Sequence, residues 1–275
     1  MTIQILSGSL IAILIAWLAW RTHNLSTSGA LAAVVIGAVV MGLGGWAWGV
    51  LLIGFFVSAS ALSKLAGKRK SSLEAAFSKG SQRDAGQVIA NGGICAAFVI
   101  LHLIFPASAW VWMGFAGTLA VANADTWGTE LGVLSKRMPR LITSLQKVPR
   151  GTAGAVTLTG TLASFGGSLF IGLLSVLVWP QSLRLSSLAA AAGMGLLVSI
   201  CGLLGALSDS WMSATVQAMY FCPSCQQETE HAAQHACGTP TLYQRGWPWF
   251  NNDLVNLIST LIGGLLSLLA FALLA

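Results

Sequence analysis

Charged residues are scarce in this sequence. Asp, Glu, Lys and Arg together make up 8% of the 275 residues, whereas 55% are apolar. The apolar residues recur in long runs, and a helix that crosses a bilayer needs ~20 of them. The composition therefore favours a polytopic, all-α membrane protein over a soluble globular core, with residues 1–275 forming one membrane domain.

The features of a cleaved leader are also absent. Met1 to Gln4 include no basic residue, and the first apolar run ends at Arg21 without a small-residue cleavage site. A secretory signal peptide has both features. We therefore expect this run to be a retained span.

The apolar runs predict a transmembrane bundle of about eight spans. The second and fifth runs are shorter than a full crossing requires, so we expect these helices to be tilted, broken or re-entrant. The predicted spans are 3–20, 30–43, 46–62, 86–105, 111–124, 155–179, 188–207 and 254–274.

The basic residues predict the orientation. With eight spans, the odd-numbered connections share one side and hold every Lys and Arg except Arg184. By the positive-inside rule this side faces the cytoplasm. We expect an integral protein of a bacterial cytoplasmic membrane, with its active site on the cytoplasmic side and both termini outside. Orientation accounts for most of the net charge of +6, so no nucleic-acid partner is expected.

Tryptophans lie near many of the predicted span ends, where an interfacial belt would place them. They are Trp17, Trp20, Trp46, Trp48, Trp110, Trp112, Trp179, Trp247 and Trp249.

Three predicted cytoplasmic loops, 63–85, 125–154 and 208–253, contain most of the polar residues. Unpaired polar groups are costly in hydrocarbon, so such loops are where a site is expected. Two loops begin alike, with Asp125-Thr126-Trp127 and Asp209-Ser210-Trp211. This match indicates either a repeated helix–loop–helix unit or chance.

The second loop begins with a cluster of oxygen ligands. Asn123, Asp125, Thr129 and Glu130 come together at a predicted span end. Magnesium is commonly held by one or two carboxylates together with nucleotide phosphates. We therefore predict a Mg2+ site at Asp125. The alternative is a carboxylate paired within its helix or with a lysine.

Cations follow directly after this cluster. Arg binds phosphate through a bidentate fork and Lys as a point charge, so the segment can hold a triphosphate. The alternative is a plain positive-inside loop. The predicted phosphate-binding residues of this segment are Lys136, Arg137, Arg140, Thr143, Lys147, Arg150, Gly151 and Thr152.

Two further segments can complete the site. Arg83, Gln87 and Asn91 repeat every fourth residue and would line one helical stripe, although Asn91 can equally bond a neighbouring helix. Asn252 and Asp253 precede the last span, where Asp253 either joins the Mg2+ site or complements the helix dipole.

The third loop contains a metal-ligand pattern. Cys222, Cys225, His235 and Cys237 fall within one short hairpin, 222–237. Thiolates and imidazole at these spacings suit tetrahedral Zn2+. Since the cytoplasm disfavours disulfides, we predict a structural zinc.

These motifs resemble an integral-membrane family that contains plant phytyl-phosphate kinase and uncharacterised bacterial, archaeal and vertebrate relatives. More distantly, the segment 124–126 is similar to dolichol and phytol kinases and to cytidylyltransferases. The resemblance covers roughly 83–262 and rests on ANADTWGTELGVLS, PRLITS, VPRGTAGAV, the Asp209-Ser210 segment, CPSC, HACGT and NNDLVNLIST.

The resemblance implies an enzyme that transfers a phosphoryl group from a nucleoside triphosphate, with CTP favoured, to a prenyl monophosphate of the phytyl or geranylgeranyl type. Asp125, Asp209 and Asp253 would hold Mg2+, and Arg140 and Lys147 would stabilise the transferring group. The positions that match the family pattern are Asn91, Asn123, Asp125, Glu130, Arg140, Lys147, Gly151, Thr152, Asp209, Asn252 and Asp253.

The sequence departs from the family pattern at four positions. Arg150 stands where a second proline is expected, and Ala153 and Ala155 where Ser and Gly are usual. Asn251 replaces an expected acid. These departures bear on loop geometry and nucleotide choice more than on the reaction class.

The predicted chemistry agrees with the residues. A phosphate monoester is largely dianionic at neutral pH, so the acceptor needs no strong general base. The sequence has no G-x-x-x-x-G-K-[ST] string, so the phosphates would be held by another loop. Two alternatives remain: a transporter of an anionic solute or lipid, and a cytidylyltransferase that releases pyrophosphate.

Overall fold

The structure is a computed structural model that describes residues 2–70, 82–180, 183 and 187–274, without the side chains of 66–70. Within these residues the chain forms eight α-helices, one π-helical turn and five short strands. The helices are α1 (Thr2–Arg21), α2 (Thr27–Val39), α3 (Trp46–Lys70), α4 (Ala85–Ile104), α5 (Ala109–Gly132), α6 (Leu158–Leu177), α7 (Leu188–Thr215) and α8 (Asn252–Leu274).

The strands form two small sheets. β1 (Arg140–Leu141) pairs with β2 (Ala155–Val156) in the connection between α5 and α6. β3 (Met219–Cys222), β4 (Gln227–Thr229) and β5 (Leu242–Arg245) form an antiparallel sheet of order β4-β3-β5 between α7 and α8. The predicted helical membrane bundle with a small Cys/His hairpin is confirmed.

In the part of the chain that the structure describes, seven segments are long and apolar enough to cross a membrane. The second consists of α2 together with the π-helical turn Val40–Gly44. The helix outside this set, α5, occupies the centre of the bundle. Its residues 111–124 are all buried, and it packs on α3, α4, α6, α7 and α8. A helix surrounded by protein can carry more polar residues than one that faces lipid.

The prediction that the fifth span stops at Ala124 and is short was wrong. α5 continues for two further turns to Gly132, and the hydroxyl of Thr126 donates to the carbonyl of Ala122 within the helix. Asp125 and Glu130 are therefore helical residues. The sixth span begins later than expected, at Leu158, because Ala155 and Val156 form β2.

Glycines allow the helices to approach α5 closely. A Cβ at Gly117 would lie 2.1 Å from the hydroxyl of Ser267 on α8. A Cβ at Gly202 on α7 would lie 2.6 Å from the Cβ of Ala120. Small residues at such contacts are typical of membrane helix packing.

Two sets of contacts show which connections share a side. At one end of the bundle, the side chain of Gln4 donates to the carbonyl of Gly42 at 3.2 Å. At the other end, the backbone of Arg83 pairs with Asn24 and Ser26 at 3.0 Å. The first and third connections therefore lie together, as the antiparallel order requires. That this side faces the cytoplasm stays a prediction.

Two of the tryptophans expected at the interface lie in the core. Trp48 and Trp112 are 2% and 0% exposed, and their ring centroids are 5.1 Å apart. Proximity to a span end does not distinguish a lipid-facing helix face from a buried one. Trp46, which is 72% exposed, fits the expected belt.

Candidate functional site

A cavity of about 380 Å³ lies at the end of the bundle that holds the third, fifth and seventh connections. It is bordered by α3 to α8, by the segment 133–157 and by the β3–β5 region. Many of the residues singled out in the sequence line it together: Arg83, Asn91, Asp125, Thr129, Glu130, Arg137, Arg150, Gly151, Thr152, Asp209 and Asn252.

α5 provides the first acidic wall of the cavity. Asp125 is partly buried, and Glu130 is buried and accepts a hydrogen bond from the hydroxyl of Ser63 on α3 at 2.8 Å. Glu130 also faces Arg83. Burial lowers the pKa of the Arg83 guanidinium from its ordinary value, and the negative charge of Glu130 opposes that shift. Glu130 thus balances a cation in the cavity wall.

α7 and α8 provide the second acidic wall. Asp209 is 6% exposed and accepts a hydrogen bond from Ser259 on α8 at 3.1 Å. The carboxylates of Asp125 and Glu230 are both close enough to repel that of Asp209. Buried carboxylates that repel one another are stabilised by a bound cation. The three line the same cavity.

The hairpin of residues 133–157, which contains β1 and β2, forms the cationic side. Arg150 donates to the carbonyl of Ser135 at 2.7 Å, which holds the guanidinium against the start of the hairpin. Gly154 has a φ of +75°, and a Cβ there would lie 2.4 Å from the Cβ of Ala214. The hairpin therefore packs directly on α7. Arg137 and Arg150 both line the cavity.

The outer part of the same hairpin is not in the cavity wall. Arg140 is exposed and donates a hydrogen bond to the carbonyl of Leu145 at 2.6 Å. Lys147 is also exposed, and its backbone pairs with that of Arg140. Lys136 and Thr143 are also exposed outside the lining. Arg140 thus closes its own turn, and the expected role of Arg140 and Lys147 stays a prediction from the resemblance.

Asn123 and Asp253 also lie outside the cavity lining. Asn123 is fully buried, accepts from Ser58 at 2.9 Å and donates to the carbonyl of Gly167 at 2.8 Å. It thereby ties α5 to α3 and α6. On α8, Asn252 and Asn256 line the cavity. A helix turns by about 100° per residue, so Asp253 occupies a different face from these two.

Glu230 is a cavity residue that the sequence reasoning missed. It follows β4, lines the cavity and accepts a hydrogen bond from the side chain of Gln217 at 2.9 Å. Its sequence signal was weak, since it lies within the Cys/His hairpin and not at a span end. The scarcity of carboxylates, eight in the whole chain, could have drawn attention to it.

The four predicted zinc ligands form one cluster. Their ligand atoms all lie within 4.8 Å of one another, the one such group found among the described residues. The sulfurs of Cys222 and Cys237 are 3.6 Å apart, and Nδ1 of His235 is 3.2 Å from the sulfur of Cys237. Two thiolates on tetrahedral zinc would be ~3.8 Å apart, from Zn–S bonds of about 2.3 Å. The cluster could therefore bind a metal such as zinc.

The thiols of the cluster differ in acidity. The hydroxyl of Thr239 and the ring of His235 lower the pKa of Cys237 to about 5. Hydrogen bonding with Cys237 raises the pKa of Cys225 to about 11. A metal held by these sulfurs would require them as thiolates, so metal binding would release protons.

Comparison with known proteins places the chain in a family. The model of the integral membrane protein family DUF92 matches residues 10–264. The chain belongs to this family. The match confirms the family expected from the motifs and the multiple spans of an integral membrane protein.

Relatives of this chain occur in plants and archaea. Protein PGR of Arabidopsis thaliana is 30% identical over 239 residues, covering 80% of this chain and 81% of the relative. An uncharacterized membrane protein of Methanocaldococcus jannaschii is 26% identical over 98% of this chain and 95% of its own length. Protein VTE6 of the Arabidopsis thaliana chloroplast is 26% identical over 90% of this chain and 65% of its own length. No solved structure matches.

Proposed function

We propose that this protein is a membrane-embedded kinase that transfers a phosphoryl group from a nucleoside triphosphate, with CTP favoured, to a prenyl monophosphate of the phytyl or geranylgeranyl type. The observation that carries the proposal is the cavity at one end of the bundle, which Asp125, Asp209 and Glu230 line together with Arg83, Arg137 and Arg150. Membership of the family that the motifs resemble supports the same reaction class.

The acidic wall suits a magnesium ion held on the donor phosphates. Magnesium usually binds through one or two carboxylates and keeps phosphate and water as its other ligands. Asp125 and Asp209 would be these carboxylates. Glu230 would be the third Mg2+ ligand, the role that was predicted from the sequence for Asp253. When bound, the ion would neutralise charge on the phosphates.

The cationic wall suits the phosphates themselves. Arg137 and Arg150 can form bidentate hydrogen bonds with phosphate oxygens. Gly151 has a φ of +87°, a left-handed conformation that glycine adopts readily, and it lines the cavity with Thr152. A phosphate could therefore approach the hairpin backbone closely at Gly151, without the glycine-rich string of a P-loop.

In the proposed reaction, an oxygen of the prenyl phosphate attacks the terminal phosphorus of the triphosphate. A new P–O bond forms, the bond to the bridging oxygen breaks, and the nucleoside diphosphate leaves with that oxygen. The acceptor is already an anion, so the protein has mainly to align the groups and neutralise their charge. The arginines and the carboxylate-bound cation would do this.

The test is a panel assay with purified protein, in which each nucleoside triphosphate is combined with prenyl phosphates of different length. Mass spectrometry should detect a prenyl diphosphate together with a nucleoside diphosphate. A cytidylyltransferase would instead release pyrophosphate and leave cytidine on the lipid. A transporter would leave every substrate unchanged, and either result would overturn the proposal.

A further inference from the structure

A second, mostly apolar cavity of about 90 Å³ lies beside the polar one. It is a slot between α1, α2, α3 and α4, lined by small and apolar residues that include Ala12, Ala33, Met41, Leu52 and Phe55. Three polar residues, Arg83, Gln87 and Asn91, line both this slot and the polar cavity. The two spaces therefore meet at one polar boundary.

We propose that this slot holds the apolar chain of the acceptor lipid next to its phosphate, and that Arg83 binds the phosphate at the boundary. The inference rests on the proposed function, because it names the place of the acceptor in that reaction. It assigns the acceptor to α1–α4 and leaves the carboxylates of α5 and α7 to the nucleotide.

The position of Arg83 fits this role. Its guanidinium carbon lies 5.8 Å from the centre of the Phe55 ring, above a residue that lines the slot. Its backbone is fixed by hydrogen bonds with Asn24 and Ser26. On α2, Gly29 has no room for a Cβ, because that atom would lie 2.1 Å from the carbonyl oxygen of Arg83. A cation held in this way can take an anionic headgroup while the chain enters the apolar space.

Gln87 supplies a further polar group at the boundary. Among the described residues, its Oε1 atom is buried and has no hydrogen-bond partner. An amide can present either its oxygen or its nitrogen, so Gln87 can accept from or donate to a bound headgroup. Asn91, one turn further along α4, donates its own amide to the carbonyl of Gln87 at 3.0 Å. Gln87 is thus the side chain with hydrogen-bonding capacity to spare.

The lining of the slot extends along the helix axis. From Ala33 on α2 to Met41 in the following π-helical turn it covers ~12 Å. Leu25, whose backbone pairs with that of Arg83, continues the lining toward the polar boundary. We expect the slot to distinguish lipids by the shape of the chain near the phosphate.

Packing in the slot and charge at Arg83 would have different roles in lipid binding. Lipid tails are as apolar as the slot, so moving a chain from the bilayer into it brings little hydrophobic gain. Selectivity would come from shape within the slot, and affinity from the phosphate on Arg83.

The first test is photocrosslinking to the unaltered protein. A prenyl phosphate with a diazirine on its chain is bound without nucleotide, irradiated, and mapped by mass spectrometry. The expected crosslinks fall on slot-lining residues of α1 and α2, and an excess of unlabelled prenyl phosphate suppresses them more strongly than the corresponding alcohol. Crosslinks confined to α6 and α7 would overturn the proposal.

The second test narrows the slot. Ala33→Phe places a ring in the lining, whereas Ala32→Phe is the same change at the adjacent position, which does not line the slot. We expect Ala33→Phe to raise the KM for a branched prenyl phosphate at least tenfold and leave the KM for CTP unchanged, while Ala32→Phe stays within a few-fold of wild type. Equal effects of the two changes on the KM for the lipid would contradict the proposal that the slot binds the lipid chain.

The two tests separate the slot from the kinase. Crosslinking reports lipid binding and does not depend on phosphoryl transfer. If the protein gives crosslinks in the slot but transfers no phosphoryl group, the lipid-binding proposal stands and the proposed kinase reaction is wrong. If the protein transfers the phosphoryl group but the crosslinks fall elsewhere, the kinase reaction stands and the lipid-binding proposal is wrong. If Ala33→Phe does not accumulate in the membrane, the crosslinks to the wild type decide.

Discussion

At the scale of single residues, the site combines groups that are unfavourable alone. Asp209 is buried within reach of two other carboxylates, Asp125 and Glu230. Such an arrangement costs free energy of folding unless a cation or a hydrogen-bond donor offsets it. Ser259 offsets part of the cost at Asp209. In the proposed reaction, a cation that arrives with the nucleotide would offset the remainder.

Asp125→Asn tests this assignment. The change keeps size and polarity but removes the charge, so the donor phosphates lose a metal ligand. We expect kcat to fall about 10²–10⁴-fold, or about 3–5 kcal/mol in transition-state free energy, as for other lost electrostatic contacts. The measurement is steady-state turnover of prenyl phosphate and CTP, with insertion checked by gel filtration in detergent. Near-normal turnover of a well-folded variant would remove Asp125 from the mechanism.

Glu230→Gln tests the residue that the sequence did not reveal. Because Glu230 lines the cavity, we expect a loss of at least tenfold in kcat and a higher magnesium requirement. Glu228→Gln is the matched control: Glu228 lies two residues earlier, outside the lining, where it pairs with Arg245 at 3.6 Å. Such a pair contributes about 0–1 kcal/mol, so the control should stay within a few-fold of wild type. Similar losses in both variants would indicate damage to the hairpin instead.

The cations of the hairpin of residues 133–157 are expected to differ in how much they contribute to kcat/KM. Arg137 and Arg150 line the cavity, whereas Arg140 and Lys147 do not. Removing one phosphate-binding donor commonly costs about 10²–10³-fold in rate. We therefore expect Arg137→Ala and Arg150→Ala to lose at least tenfold more kcat/KM than Arg140→Ala and Lys147→Ala. The reverse ranking would support the prediction from the family motifs over the observed placement.

At the scale of elements, the β3–β5 sheet links the Cys/His cluster to the cavity. Cys222 ends β3, and Glu230 directly follows β4 in the same sheet. A metal held by Cys222, Cys225, His235 and Cys237 would fix this sheet and so position Glu230. The cluster would then be structural, with no coordination position left open for catalysis.

Metal analysis checks this role. We expect about one zinc per chain in purified protein, lost on Cys222→Ser together with most of the activity. Cys201→Ser, which changes a buried cysteine of α7 outside the cluster, should keep its zinc. Wild-type protein that purifies without metal and remains fully active in chelator would contradict the assignment.

The helices also show where sequence reasoning works and where it stops. Hydropathy located the spans but ended the fifth at the first polar residues, because it assumes that a helix faces lipid. α5 is surrounded by other helices, so it carries Asp125 and Glu130 without leaving the bundle. The spacing of cysteines predicted the Cys/His cluster because its four residues are close in sequence. Glu230 reaches the cavity only through the fold of the hairpin, which no local pattern specifies.

At the scale of the whole molecule, the connections sort onto two sides. The cavity gathers the ends of the third, fifth and seventh connections, as the eight-span sequence prediction requires. Polar groups are rare in this chain, so cavity-lining residues such as Arg83, Asp125 and Asp209 could be predicted as site residues from the sequence. The sequence does not give the distances between these residues. It also does not show that Arg140 and Lys147 lie outside the cavity lining, which depends on how the hairpin of residues 133–157 packs on α7.

Cysteine labelling in intact cells tests the orientation. An impermeant thiol reagent should modify an engineered cysteine at Ala107, an exposed residue between α4 and α5, but not one at Ser144, exposed in the hairpin. After permeabilisation both should react. Labelling at Ser144 in intact cells would place the cavity outside the cytoplasm and reverse the predicted topology.

The most direct test of the proposed reaction is the fate of doubly labelled CTP, with one label on the terminal phosphate and another on the base. Purified wild-type protein and a prenyl phosphate that binds should yield a lipid product with the phosphate label and no base label, together with CDP. The Asp125→Asn protein should yield neither above background. Base label on the lipid, or no transfer from any nucleoside triphosphate to any prenyl phosphate that binds, would contradict the kinase.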